Sequence, residues 1–113
     1  MRDGSSSKVK EVTKIGPLSL DLVVACKIYE HQTTEGAGVE FMKLVRSLDG
    51  IVSKSSILNA VNTLSDWGIV KTEFGETEAG RAGRLYYVSG EAESMIRATY
   101  EQFWDKVLEA IRS

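Results

Sequence analysis

Ten consecutive positions hold the side chains best suited to chemistry in this chain. "KSSILNAVNT" carries Lys54, Ser55, Ser56, Asn59, Asn62 and Thr63, and no Asp or Glu occurs from residue 50 through 65. Short hydroxyls and amides are poorer helix formers than Glu, Lys or Arg, so a merely solvated helix would seldom be built from them. They are suited to hydrogen bonding at close range. Asn can pair bidentately with an adenine edge, Ser and Thr can bond to bases or phosphates, and Lys54 can meet a phosphodiester backbone. A carboxylate among them would repel phosphates. A second group lies in "GETEAGRAGRLYYVS", where Arg81 and Arg84 stand beside Gly80 and Gly83. Glycines let a backbone come close to a phosphate or follow a minor groove. Glu73, Glu76 and Glu78 precede the arginines, and they either pair with them or weaken the hold on a polyanion.

Other chemistry finds little support. Cys26, the only cysteine, sits in the apolar run "LVVACKIY", which suits a buried small hydrophobe. It shares the chain with a single histidine, His31, without metal-ligand spacing, so neither a metal site nor a catalytic residue is assigned, and no cofactor is expected. The net charge of -2 argues against coating nucleic acid by bulk charge. Residues 61–113 hold six Lys or Arg against nine Asp or Glu, so the acidic material falls late. Neither a membrane span nor a secretory signal is evident, and a cytoplasmic location is expected.

The elements that must position these groups follow from periodicity. Residues 1–16 read as a flexible basic arm. "GPLSLDLVVACKIYEHQ" reads as helix 1, with Pro17 in its first turn and Leu20, Val23, Val24 and Ile28 at helical spacing. Residues 39–48 read as a short helix 2 built around Val39, Met42 and Val45, joined by Phe41, Leu44 and Leu48. Ser53 caps helix 3, whose Ile57, Val61 and Leu64 recur at i, i+4 and i+7 and so turn the polar residues outward. "IVKTEF" and "RLYYV" form a hairpin with "GETEAGRAG" as its turn. Ser89 caps a last helix of about 34 Å, longer than a small three-helix core covers. Its apolar stripe of Ile96, Tyr100, Phe103, Trp104, Val107 and Ile111 is therefore expected to bury itself against a second copy, although folding back over helix 1 is the alternative.

The fold class is thus α+β: a winged helix-turn-helix with a three-helix core, a two-stranded wing hairpin and a long C-terminal dimerisation helix. The expected domains are the arm at 1–16, the winged helix-turn-helix at 17–88 and the dimerisation helix at 89–113. "ILNAVNTLSDWGIVKTEFGETEAGRAGRLYYVSGEAE" resembles the recognition-helix-to-wing segment of winged helix-turn-helix transcriptional regulators of the PadR, MarR and ArsR kind, and "EAGRAGRLYYVS" is most similar to a PadR-like wing. The resemblance implies a homodimeric regulator of double-stranded DNA. It makes Ser55, Ser56, Asn59, Asn62 and Thr63 the base readers and Arg81 and Arg84 the wing contacts. A repressor is expected, with any small-molecule effector unidentified. The chain departs from strongly DNA-binding members in its acidic balance, its acidic wing flank and its few basic residues on helix 3. The alternative is a winged-helix protein-interaction or assembly module.

Overall fold

The computed structural model describes residues 13–77 and 79–112. Most of the basic arm, with Lys8 and Lys10, lies outside the described residues, as does Glu78 of the wing. A small hairpin comes first, from β1 (Lys14–Ile15) and β2 (Leu18–Ser19). Gly16 takes φ +60° in its turn, and Leu20 N donates to Thr13 O at 2.9 Å across its open end. Pro17 therefore sits in the hairpin turn, which corrects its sequence assignment to the first turn of helix 1. Gly-Pro with a positive φ at the glycine reverses the chain, and the helix starts only where Ser19 accepts from Leu22 N as N-cap.

α1 (Leu20–Glu35) buries Leu20, Val23, Val24, Ala25, Cys26, Ile28 and Tyr29. These residues cover most of its circumference, so one neighbouring helix cannot shield it. β3 (Val39–Glu40) leads into α2 (Phe41–Ser47). Val39 and Glu40, read from sequence as the start of helix 2, pair instead with Tyr86 and Leu85. Two residues are too few to show a strand period. Within α2 the buried position is Leu44, followed by Leu48 at the helix end, whereas Met42 is 43% exposed. α3 (Lys54–Asp66) packs Ile57, Ala60, Val61 and Leu64 inward, as its spacing predicts.

β4 (Val70–Glu76) and β5 (Ala82–Val88) pair antiparallel along their whole length, and the three-stranded sheet runs β3-β5-β4. α4 (Gly90–Arg112) then returns across α1. Ser89 precedes it, buried, with its hydroxyl donating to Gly68 O at 2.8 Å, which ties the start of α4 to the end of α3. The core lies between α1, α3, α4 and the inner sheet face. The chain has the winged-helix architecture, three helices and a hairpin wing followed by a long helix.

Candidate nucleic-acid interface

The N-terminus of α3 is organised by three serines. Ser53 Oγ accepts from Ser56 N at 3.2 Å and donates to Ser56 Oγ at 2.9 Å, with Ser55 Oγ 3.3 Å away. Ser55 and Ser56, predicted as readers, thus share a cap network that fixes the helix start. Beyond the cap, Lys54, Ser55, Asn59, Asn62 and Thr63 are exposed and Ser56 is half-buried. The spacing of Ser55, Asn59 and Asn62 sets them along the outermost line of the helix, opposite Ile57, Val61 and Leu64.

One flank of that line is walled. Ser56, Asn59 and Thr63 join Thr13, Ser19, Leu20, Asp21 and Ala60 around a concavity of about 240 Å³. The hairpin and the first turn of α1 form its far side. Asp21 thereby brings a carboxylate to the rim of a helix face that itself lacks one from residue 54 to 65. Local sequence could not show this, because Asp21 lies 38 residues before Asn59 in the chain. Leu58, 44% exposed on the opposite flank, also escaped the sequence reading.

The wing is longer and its turn shorter than predicted. The strands continue to Glu76 and Ala82, which shortens the connection between them. Thr77 N and Oγ1 both donate to Arg81 O, at 2.9 and 3.0 Å, while Gly80 takes φ +79°. Arg81 closes this turn, and Arg84 lies on β5 directly across from Phe74. Both arginines are exposed, and among the described residues neither forms a salt bridge with Glu73 or Glu76. The wing also carries Phe74, 82% exposed, and the turn after α3 carries Trp67, 78% exposed.

The stripe of α4 divides in two. Ile96, Trp104 and Val107 are buried in the chain's own core, whereas Tyr100, Phe103 and Ile111 are half-buried. The broad apolar face of α1 accounts for the inner set, since α4 supplies its second cover. Tyr100 stacks on Trp104 with centroids 5.2 Å apart and meets the Tyr29 ring at 5.6 Å. Its hydroxyl donates to Glu30 Oε2 at 2.8 Å, and Lys27 Nζ donates to Glu30 Oε1, also at 2.8 Å. Burial alone would raise the Glu30 pKa, but the bonds from Lys27 and Tyr100 outweigh it and hold the carboxyl below its ordinary range. Tyr100, Phe103 and Ile111, with Leu108 beside them, form the half-buried outer part of the α4 stripe.

Cys26 is fully buried, and desolvation, followed by the charge of Glu30, pushes its thiol up to about 12. A thiolate nucleophile is disfavoured there. Among the described residues, no helix is long and apolar enough to cross a membrane.

No protein-family model matches the chain, and no curated protein matches it. Solved structures do. The circadian clock associated protein Pex from Anabaena superposes with a TM-score of 0.58 at 17% identity, covering 96% of each chain. A PadR-like transcription factor from Bacteroides fragilis gives 0.55 at 16% identity, over 82% of this chain and 86% of its own. A PadR family transcription regulator from Clostridium difficile gives 0.53 at 12% identity, over 82% and 98%. The chain shares the winged-helix fold of these proteins, and identities this low establish the fold and nothing finer.

Proposed function

We propose that the protein is a sequence-specific, double-stranded-DNA-binding transcriptional regulator acting as a homodimer. α3 enters the major groove, and the wing meets the backbone or minor groove. One observation carries this reading: Asn59 and Asn62 stand exposed on a helix without a carboxylate from 54 to 65, on the same fold as a wing bearing Arg81 and Arg84 free of salt bridges among the described residues. Asn is the side chain that pairs bidentately with adenine. Lys54, Arg81 and Arg84 supply phosphate contacts, while Ser55, Ser56 and Thr63 supply shorter bonds around the readers.

Dimerisation would use the outer part of α4, where Phe103 and Ile111 remain partly accessible, with Tyr100 at its edge. Ile96, Trp104 and Val107 support that surface from within. A twofold dimer presents two α3 helices to half-sites one helical turn apart, and hence to a near-palindromic operator. Repression follows most simply, because occupying a promoter needs no further surface. The regulator would act in the cytoplasm, with no effector assigned.

Selection of bound sequences from a random duplex library at 0.15 M salt tests the proposal. A palindrome should emerge, with binding that weakens as salt rises. Three cations per protomer at the interface, Lys54, Arg81 and Arg84, limit the slope of log K against log salt to about -5 for a dimer. A folded dimer that enriches no sequence refutes it. The exposed Leu58 and Trp67 favour a second reading in that event, an assembly module whose α3 face binds protein.

A further inference from the structure

Phe74 has no structural reason to be where it is. It lies on β4 with 82% of its surface exposed, and no aromatic partner is found for it among the described residues. Val70 and Val88, a directly opposed pair on the same sheet face, are buried at the base of the wing. Thr72 and Phe74 continue that face outward by the two-residue period of a strand, so Phe74 projects beyond the core rather than into it.

Its immediate surroundings are unusual for a solvated hairpin. Arg84 is its cross-strand partner and shares its face. The next pair toward the tip is Gly75 opposite Gly83. A Cβ at Gly75 would meet Leu85 Cδ1 at 2.6 Å, and one at Gly83 would meet Thr77 Cγ2 at 2.5 Å. Leu85 and Thr77 thus lie flat over the glycines on the reverse face. The outer wing is a thin ribbon with an aromatic ring and a guanidinium projecting from one side. Glu76 lies on that side too, with its carboxylate near Gly80 in the turn.

A minor groove about 6 Å wide admits a thin ribbon, and apolar side chains inserted between base steps unstack them and kink the duplex. We infer that Phe74 is a wedge that inserts between adjacent base pairs at the edge of each half-site, with Arg84 on the neighbouring phosphate. The wedge rests on the DNA-reading function proposed above. A single ring and a guanidinium are far smaller than the roughly 800 Å² per partner of a stable protein interface, whereas they match one base step and one phosphate.

The test uses the full chain and the duplex recovered by selection, with 2-aminopurine placed in turn at each step across a half-site. Wild-type protein should brighten the probe several-fold at one step per half-site. Phe74→Ala should abolish the brightening and weaken binding by about tenfold, the scale of one lost base–aromatic stack. Phe74→Leu, still apolar and able to wedge, should retain part of both effects. Binding by the wild type without brightening at any step, or equal brightening with Phe74→Ala, overturns the wedge and leaves the DNA-reading function standing. Failure of the wild type to select or bind any duplex overturns both.

Discussion

Tyr100→Phe isolates the bond that fixes α4 to α1. The phenylalanine ring keeps the stack on Trp104 and the contact with Tyr29, so only the hydroxyl donated to Glu30 is lost. A hydrogen bond to a charged group contributes about 1.5–3 kcal/mol. The Glu30 side chain is 31% exposed and keeps Lys27 at 2.8 Å, so water and a second donor make up part of the loss. The expected cost is about 1–1.5 kcal/mol at pH 7, or about 5 °C in Tm for a chain of this size. The pH dependence has a definite sign. The folded Glu30 pKa lies below its ordinary 4.5, so its stabilisation is present above that range and is lost as pH falls through the folded value. The penalty of Tyr100→Phe should therefore shrink as pH falls through the lowered folded value, because a neutral carboxyl accepts a weaker bond. Chemical denaturation at a fixed protomer concentration, in wild-type and Glu30→Gln backgrounds, measures it. A coupling of at least about 0.5 kcal/mol between the two sites is expected at pH 7. A penalty that stays constant as pH is lowered until the folded protein is lost, or no coupling, would refute the assignment of the stabilisation to this bond.

Asp21→Asn should strengthen binding to random duplex by about two- to fivefold at low salt, since it removes a negative charge from the rim of the α3 face. Unchanged affinity in anisotropy titrations would show that Asp21 does not face the polyanion. Cys26 should resist a thiol reagent in the native protein and react fully once denatured, consistent with complete burial and a thiol pushed up to about 12. Rapid native labelling would contradict that packing. Ile96→Ala should lose about 2–4 kcal/mol in denaturant unfolding, because Ile96 is fully buried between α4 and the core. A loss under 1 kcal/mol would mean that α4 is not seated on α1 as described.

Helices α3 and α4 and the wing were legible because their signals are local. Ile57, Val61 and Leu64 fix the inward face of α3, Ser53 caps it, and two apolar runs flank a glycine-rich turn. What escaped the sequence depends on partners distant in the chain. Pro17 suits a helix's first turn as well as a hairpin, and only the pairing of Lys14 with Ser19 decides between them. Val39–Glu40 becomes a strand because Tyr86 and Leu85 lie beside it. The stripe on α4 was visible as a stripe, but periodicity does not say what covers it. Helix α1, whose buried residues lie around most of its circumference, claims Ile96, Trp104 and Val107 first. For the candidate site, residue types picked out the exposed asparagines, whereas Asp21 reaches the same concavity only through the packing of α1 against α3.

If α3 reads sequence while the wing holds the backbone, Asn59→Ala and Arg81→Ala should lose binding in different ways. Anisotropy titrations of wild type, Asn59→Ala and Arg81→Ala would be made with the selected duplex and a scrambled one at a single salt concentration. Loss of a bidentate base contact should cost about 1–3 kcal/mol on the selected duplex and little on the scrambled one, collapsing the ratio between them. Arg81→Ala should weaken both duplexes alike. Equal losses on the two duplexes for Asn59→Ala would show that α3 does not read bases through Asn59.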